Sequence, residues 1–169
     1  MFQMSRGMAL LRALICLSLL AAGPVAATSV VPKSLEELVP EAGEIVVATI
    51  DAVDVVDAEG RALHGERART GPGLDNRMRF HLRVEEVIHP RGSPVPATLV
   101  VPLWSMWHYD LESMQDVLGR RGIFLLKAGT HEPVYPAHFQ RPLDEREAIE
   151  AMLAEGGSEA GGGVHVHGE

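Results

Sequence analysis

Apolar and polar residues alternate most regularly just before the middle of the chain. Met78, Phe80, Leu82 and Val84 are apolar, and Arg77, Arg79, His81 and Arg83 between them are polar. A period of two puts one set on each face of an extended chain, so the spacing predicts a strand over 77–87 with one face on a core and one toward water. The alternation slips at Glu85-Glu86 before Val87-Ile88, which predicts a bulge. The stretch 44–56 (EIVVATIDAVDVV) reads differently: it is rich in β-branched residues and its centre is continuously apolar, as in a buried strand. Shorter strands are expected at 97–103 (ATLVVPL) and 123–126 (IFLL), with Pro102 ending the first or holding it to a sheet edge. A final strand is expected at 134–139, interrupted by Pro136.

Three short helices complete the pattern. Ser34 and Glu37 form a capping box ahead of Leu35, Leu38 and Val39, and Pro40 curtails the helix. Asp110 caps a second, with Leu111, Met114 and Leu118 on one face and Gly119 as its stop. Asp144 and Glu147 open a third that places Ile149, Met152 and Leu153 toward the domain. The segment 57–76 is polar and rich in Gly and Arg, and is expected to be a long mobile loop. Residues 89–94 (HPRGSP) read as a turn. From Gly156 onward the chain is Gly-rich and expected to be a disordered tail, 156–169.

The first 27 residues have the parts of a cleavable export signal. Arg6 and Arg12 make the start positive, 13–22 (ALICLSLLAA) is apolar, Gly23-Pro24 breaks the run, and Val25-Ala26-Ala27 offers small residues to signal peptidase. The run is too short for a spanning helix, which needs about 20 apolar residues. The expectation is a periplasmic or secreted protein cut after Ala27, with no membrane span afterwards and a single domain over 28–155. Cys16 is the only cysteine and leaves with the signal. The processed chain then has no disulfide, no thiol chemistry and no cysteine-ligated zinc. The signal also takes two of the 15 basic residues and no acid, so 13 bases face 23 acids and the net charge moves from −8 to −10. Such a field repels polyanions and argues against nucleic acid as a partner.

About five strands joined by turns, with few short helices and no regular strand–helix alternation, predict a mainly β fold: a small antiparallel OB-like barrel, closed or nearly closed. The segments 44–50 (EIVVATI), 80–88 (FHLRVEEVI) followed by Pro90-Arg91-Gly92, and 119–126 (GRRGIFLL) carry a resemblance. Across roughly 34–139 the pattern resembles bacterial exported proteins with an OB-like barrel, related in shape to the netrin-like domain of tissue metalloprotease inhibitors. The resemblance implies a fold and transfers no functional residue, because those inhibitors chelate metal with an N-terminal cysteine that the processed chain lacks.

The candidate chemistry is sparse. Arg77, Arg79, His81 and Arg83 line one strand face, either as an anion-binding stripe or as a solvated face paired with acids such as Asp51, Asp54 and Asp57 on a neighbouring strand. Trp104, Met106, Trp107, His108 and Tyr109 form the densest aromatic stretch, suited to a protein or glycan partner where exposed and to the core where buried. His165 and His167 fall on one side of an extended tail; with His108, His131, His138 and Met106 they are the candidate ligands for copper or zinc. Nucleophile-elbow, zinc-protease and phosphate-loop motifs are absent from the sequence. These features lead to the expectation of a non-enzymatic exported binding module for a protein partner in the cell envelope. The alternatives are a periplasmic metal-binding protein using His and Met ligands, and a hydrolase whose site carries no motif.

Overall fold

The computed structural model describes residues 30–90 and 94–159. The export segment, the tail histidines His165 and His167, and the tip of the 89–94 turn lie outside the described residues.

The domain that begins at Pro32 is mainly β. Helix α1 (Leu35–Leu38) leads into β1 (Glu44–Val56), followed by β2 (Arg77–Pro90), β3 (Thr98–Pro102), β4 (Arg121–Leu126), β5 (Gln140–Arg141) and helix α2 (Arg146–Glu159). The α1 capping bond is present: the Ser34 N–H donates to Glu37 Oε2 at 2.8 Å. The five strands form one antiparallel sheet in the order β3-β2-β1-β4-β5. β1 is the shared central strand. It pairs with β2 along its length and with β4 only from Glu44 to Thr49.

Register shifts explain which faces are buried. Opposite Val47 and Ala48, β2 carries an extra residue at Glu85, where the alternation slips in the sequence. β1 carries its own extra residue at Asp51, between Ile50 and Ala52. A one-residue bulge exchanges the two faces of a strand. Thus Val46, Ala48 and Ile50 face one core before the bulge, and Val55 joins the same core after it. That core also holds Met78, Phe80 and Leu82 of β2 and Leu99 and Val101 of β3. The opposite face is divided. Ile45 and Val47 with Ile123 and Leu125 of β4 are covered by Leu38 and Val39 near α1 and by Ile149 of α2. Beyond Thr49 no described helix covers that face, which carries Asp54 of β1 and Arg79, His81 and Arg83 of β2.

Closure differs from the expectation. β3 and β5 are the two edges of the sheet, and no pairing joins them among the described residues, so the sheet is open. A closing strand would have to run beside β3. The segment 134–139 instead contains Pro136, which has no N–H, and His138 at φ +62°, outside extended geometry. Regular pairing therefore begins only at Gln140, later than the sequence suggests. The edges still share a core, because Phe139 packs in the same cluster as Leu99 and Val101.

Three further elements differ in detail. The helix expected after Asp110 is a 3-10 turn, Ser113–Val117. The segment 57–76 has one such turn, Gly65–Arg67, and is tied to the body by buried Ala68 and Thr70. Helix α2 runs through Gly156 to Glu159, into the region expected to be an irregular tail.

Candidate functional site

Pro102 ends the β3 ladder, and the aromatic stretch then crosses toward segment 57–76. Thr70, only 2 % exposed, holds it there. The Thr70 hydroxyl donates to the Trp107 carbonyl at 2.7 Å and accepts from the Tyr109 N–H at 3.3 Å. The Thr70 N–H donates to the Tyr109 carbonyl at 2.9 Å. Beside it, Gly71 sits at φ +150°, and a Cβ built there would lie 2.5 Å from His108 Nδ1, so only glycine fits. Fixed in this way, the rings form a ladder. Trp104 and Trp107 meet edge-to-face at 5.6 Å, and Trp107 and Tyr109 at 6.0 Å. Burial pushes the Tyr109 phenol up to about 12, so it stays uncharged even where a free phenol would ionise.

The facing wall is the chain between β4 and β5. Glu44, at the start of β1 and 4 % exposed, anchors it. One carboxylate oxygen accepts from the Gly129 N–H at 3.2 Å, and the other lies 2.6 Å from His131 Nδ1. His131 has φ +55°, so the wall contains two left-handed histidines, His131 and His138. Left-handed geometry in residues other than glycine persists only where the surroundings impose it. Here the Glu44 clamp and the backbone bond from Leu125 N–H to the Phe139 carbonyl, 2.8 Å, supply that constraint.

Between the two walls, along the open seam, lie two adjoining cavities. The larger, about 420 Å³, is lined by Arg77, Trp104, Ser105, Lys127, Glu132 and prolines 102, 133 and 136, among others. The smaller, about 280 Å³, is mostly apolar and is lined by Phe80, Trp107, Tyr109, Met114, His138 and Phe139, among others. Leu103 and Pro136 line both.

The sequence-derived candidates are divided between two places. Arg77, Trp104 and Trp107 come together at the seam. Arg79, His81 and Arg83 lie on the open polar face of the sheet and are engaged. Arg79 donates to both oxygens of Asp54 at 2.9 and 2.6 Å, and His81 Nε2 lies 3.0 Å from the same carboxylate. Burial alone pushes the Asp54 carboxyl up, but the hydrogen bonds from Arg79 and His81 outweigh it and hold the group below its ordinary range. Arg83 reaches Asp51 at 3.1 Å and Glu85 at 3.6 Å. Glu85 accepts from Thr49 at 2.7 Å and Arg121 at 2.6 Å, and these bonds lower its carboxyl. The four basic residues of β2 therefore do not act as one stripe. Arg79 and Arg83 form cross-strand ion pairs of the kind the acids of β1 suggest, His81 contacts the same Asp54 carboxylate, and Arg77 stands apart.

The sequence does not mark Lys127 or Glu132 as site residues, and it marks Pro136 only as a strand break and His138 only as a possible metal ligand. The signal available was the proline-broken run 131–139 (HEPVYPAHF), which carries too many turn formers for a strand. Of the metal candidates, Met106 is half-exposed and His108 lies against Gly71. Among the described residues no group of three or more His, Cys, Asp or Glu side chains is placed to hold a metal ion. No described helix is long and apolar enough to cross a membrane. No family model matches the chain, and comparison with curated proteins and with solved structures returns no match.

Proposed function

We propose that this chain is a non-enzymatic exported binding module of the cell envelope that grips a protein partner at the open seam. The observation that carries the reading is the seam itself: an edge-to-face ladder of Trp104, Trp107 and Tyr109 beside two adjoining cavities, on a sheet whose edges are left unjoined. Half-buried tryptophans on a rigid backbone are the commonest anchors of protein interfaces. The positively charged, apolar and small-residue blocks at the N-terminus support the export part of the reading.

The protein, purified after expression from the full-length sequence, is immobilised and exposed to envelope extract. A partner retained by the wild type is expected to be lost with Trp104→Ala, weakened about thirtyfold or more, and kept with Arg83→Ala on the opposite face. Both tryptophans of the chain lie on the seam, so partner binding is also expected to change the intrinsic fluorescence. Capture that ignores Trp104→Ala, or no capture at all, removes the reading.

A further inference from the structure

The two cavities differ in chemistry and touch. Leu103 and Pro136 line both, so the two adjoin at these residues. The larger holds two cations, Arg77 and Lys127, and one carboxylate, Glu132. Lys127 and Glu132 face each other at 3.3 Å. Arg77 is left over: among the described residues its side chain makes no ion pair or hydrogen bond, whereas Arg79 and Arg83 of the same strand are bound to Asp54 and Asp51. The reason lies in the register. Arg77 is opposite Val56, the last residue of β1, and the next acid, Asp57, is already taken by Arg61 at 2.7 Å. An uncommitted guanidinium beside Trp104, on a chain of net charge −8, is a local site for a carboxylate, whose two oxygens match its fork of N–H donors. The neighbouring cavity, between Trp107, Met114 and Phe139, suits an apolar side chain.

In an extended peptide, residues i and i+2 point to the same side about 7 Å apart. We infer that the seam reads an extended acidic–x–apolar segment of its partner, with the acidic side chain on Arg77 and the apolar one in the cavity beside Trp107. The inference rests on the seam being the binding site and adds the chemistry of what it binds. Lys127 and Glu132 then act as a rim pair that a carboxylate approaching Arg77 must pass. Added salt weakens the acidic contact by screening it.

The test pans a random peptide library on the protein, then titrates the enriched peptides, N-acetylated and C-amidated, against tryptophan fluorescence. Enrichment of Asp or Glu two places from an apolar or aromatic residue is expected. Arg77→Gln, at an exposed position, is expected to weaken the acidic peptide about tenfold or more and to leave its Glu-to-Gln counterpart unchanged. Enriched peptides without an acidic position, or equal loss for the acidic and amide peptides, overturn the inference. So does binding that requires a free C-terminal carboxylate, because that places the chain end on Arg77 instead of an internal acid. Partner capture that depends on Trp104 and ignores Arg77 removes this inference and leaves the seam in place. Capture that ignores both removes the seam reading as well.

Discussion

Thr70→Val isolates the hydroxyl that positions the aromatic ladder. Valine keeps the β-branched shape in a site that is 2 % exposed and replaces Oγ1 with a methyl group. The substitution removes the donor to the Trp107 carbonyl at 2.7 Å and the acceptor of the Tyr109 N–H at 3.3 Å. Leaving a buried polar group without its partner costs about 1–3 kcal/mol. The second bond is long, so the sum lies near the lower half of twice that range, and the added buried methyl returns about 0.8 kcal/mol. The net expectation is a destabilisation of about 2 kcal/mol. Thr70→Ser keeps the hydroxyl and loses only a methyl, for about 1 kcal/mol. Urea unfolding followed by tryptophan fluorescence measures both. With a slope of about 1.5 kcal/mol/M, the valine midpoint falls by about 1.3 M, the serine midpoint by about half that, and the slope is unchanged. If Thr70→Ser is the more damaging of the two, packing and not hydrogen bonding holds residues 107–109, and the account of the ladder fails.

Asp54→Asn tests the ion pairs on the polar face. The Asp54 carboxyl is held below its ordinary value of 3.8 in the folded chain, so its stabilising contribution is present above that value and is lost as pH falls through the folded one. The variant is expected to be less stable than the wild type at pH 7, with the gap narrowing below about pH 4; thermal melts from pH 7 to pH 3 that show a constant gap would contradict this. Gly43→Ala tests the close approach behind the seam wall. A Cβ at Gly43 would lie 2.5 Å from the backbone nitrogen of Ala128, which a flexible side chain cannot relieve. The expected cost is about 1–3 kcal/mol by denaturant titration, with weaker partner capture because Lys127 and Glu132 move; an unchanged unfolding midpoint would refute the contact.

Much of the sheet could be read from periodicity. The alternation of Met78, Phe80, Leu82 and Val84 assigns one face of β2 to the core, and all but the half-buried Val84 are buried. The slip at Glu85-Glu86 marks a bulge because two successive polar residues cannot both take the outward position of a strict two-residue repeat. The bulge at Asp51 had no such signal. Asp51 and Asp54 are three apart and look out of phase until the extra residue is known, after which Asp54 shares a face with Arg79 and His81. Element ends were less legible where proline or left-handed residues intervene, as at 134–139, because propensity says that a strand is weakened and not where pairing resumes.

The site follows the same division. The type of each residue, the density of aromatics at 104–109 and the excess of acids are properties of the sequence alone. So are the strand content and the identity of Arg77, Arg79, His81 and Arg83 as one alternating set. Which of those four is uncommitted is not, since it depends on the partner that each meets across the sheet. Register gives Asp54 to Arg79, the bulged Asp51 reaches Arg83 with its side chain, local turn geometry gives Asp57 to Arg61, and Arg77 is left at the end of β1 facing the seam. The open seam is equally a tertiary result. Two edges far apart in sequence come to share one core without pairing, because hydrophobic burial draws Phe139 toward Leu99 and Val101 while Pro136 and His138 deny the backbone the geometry that would join them.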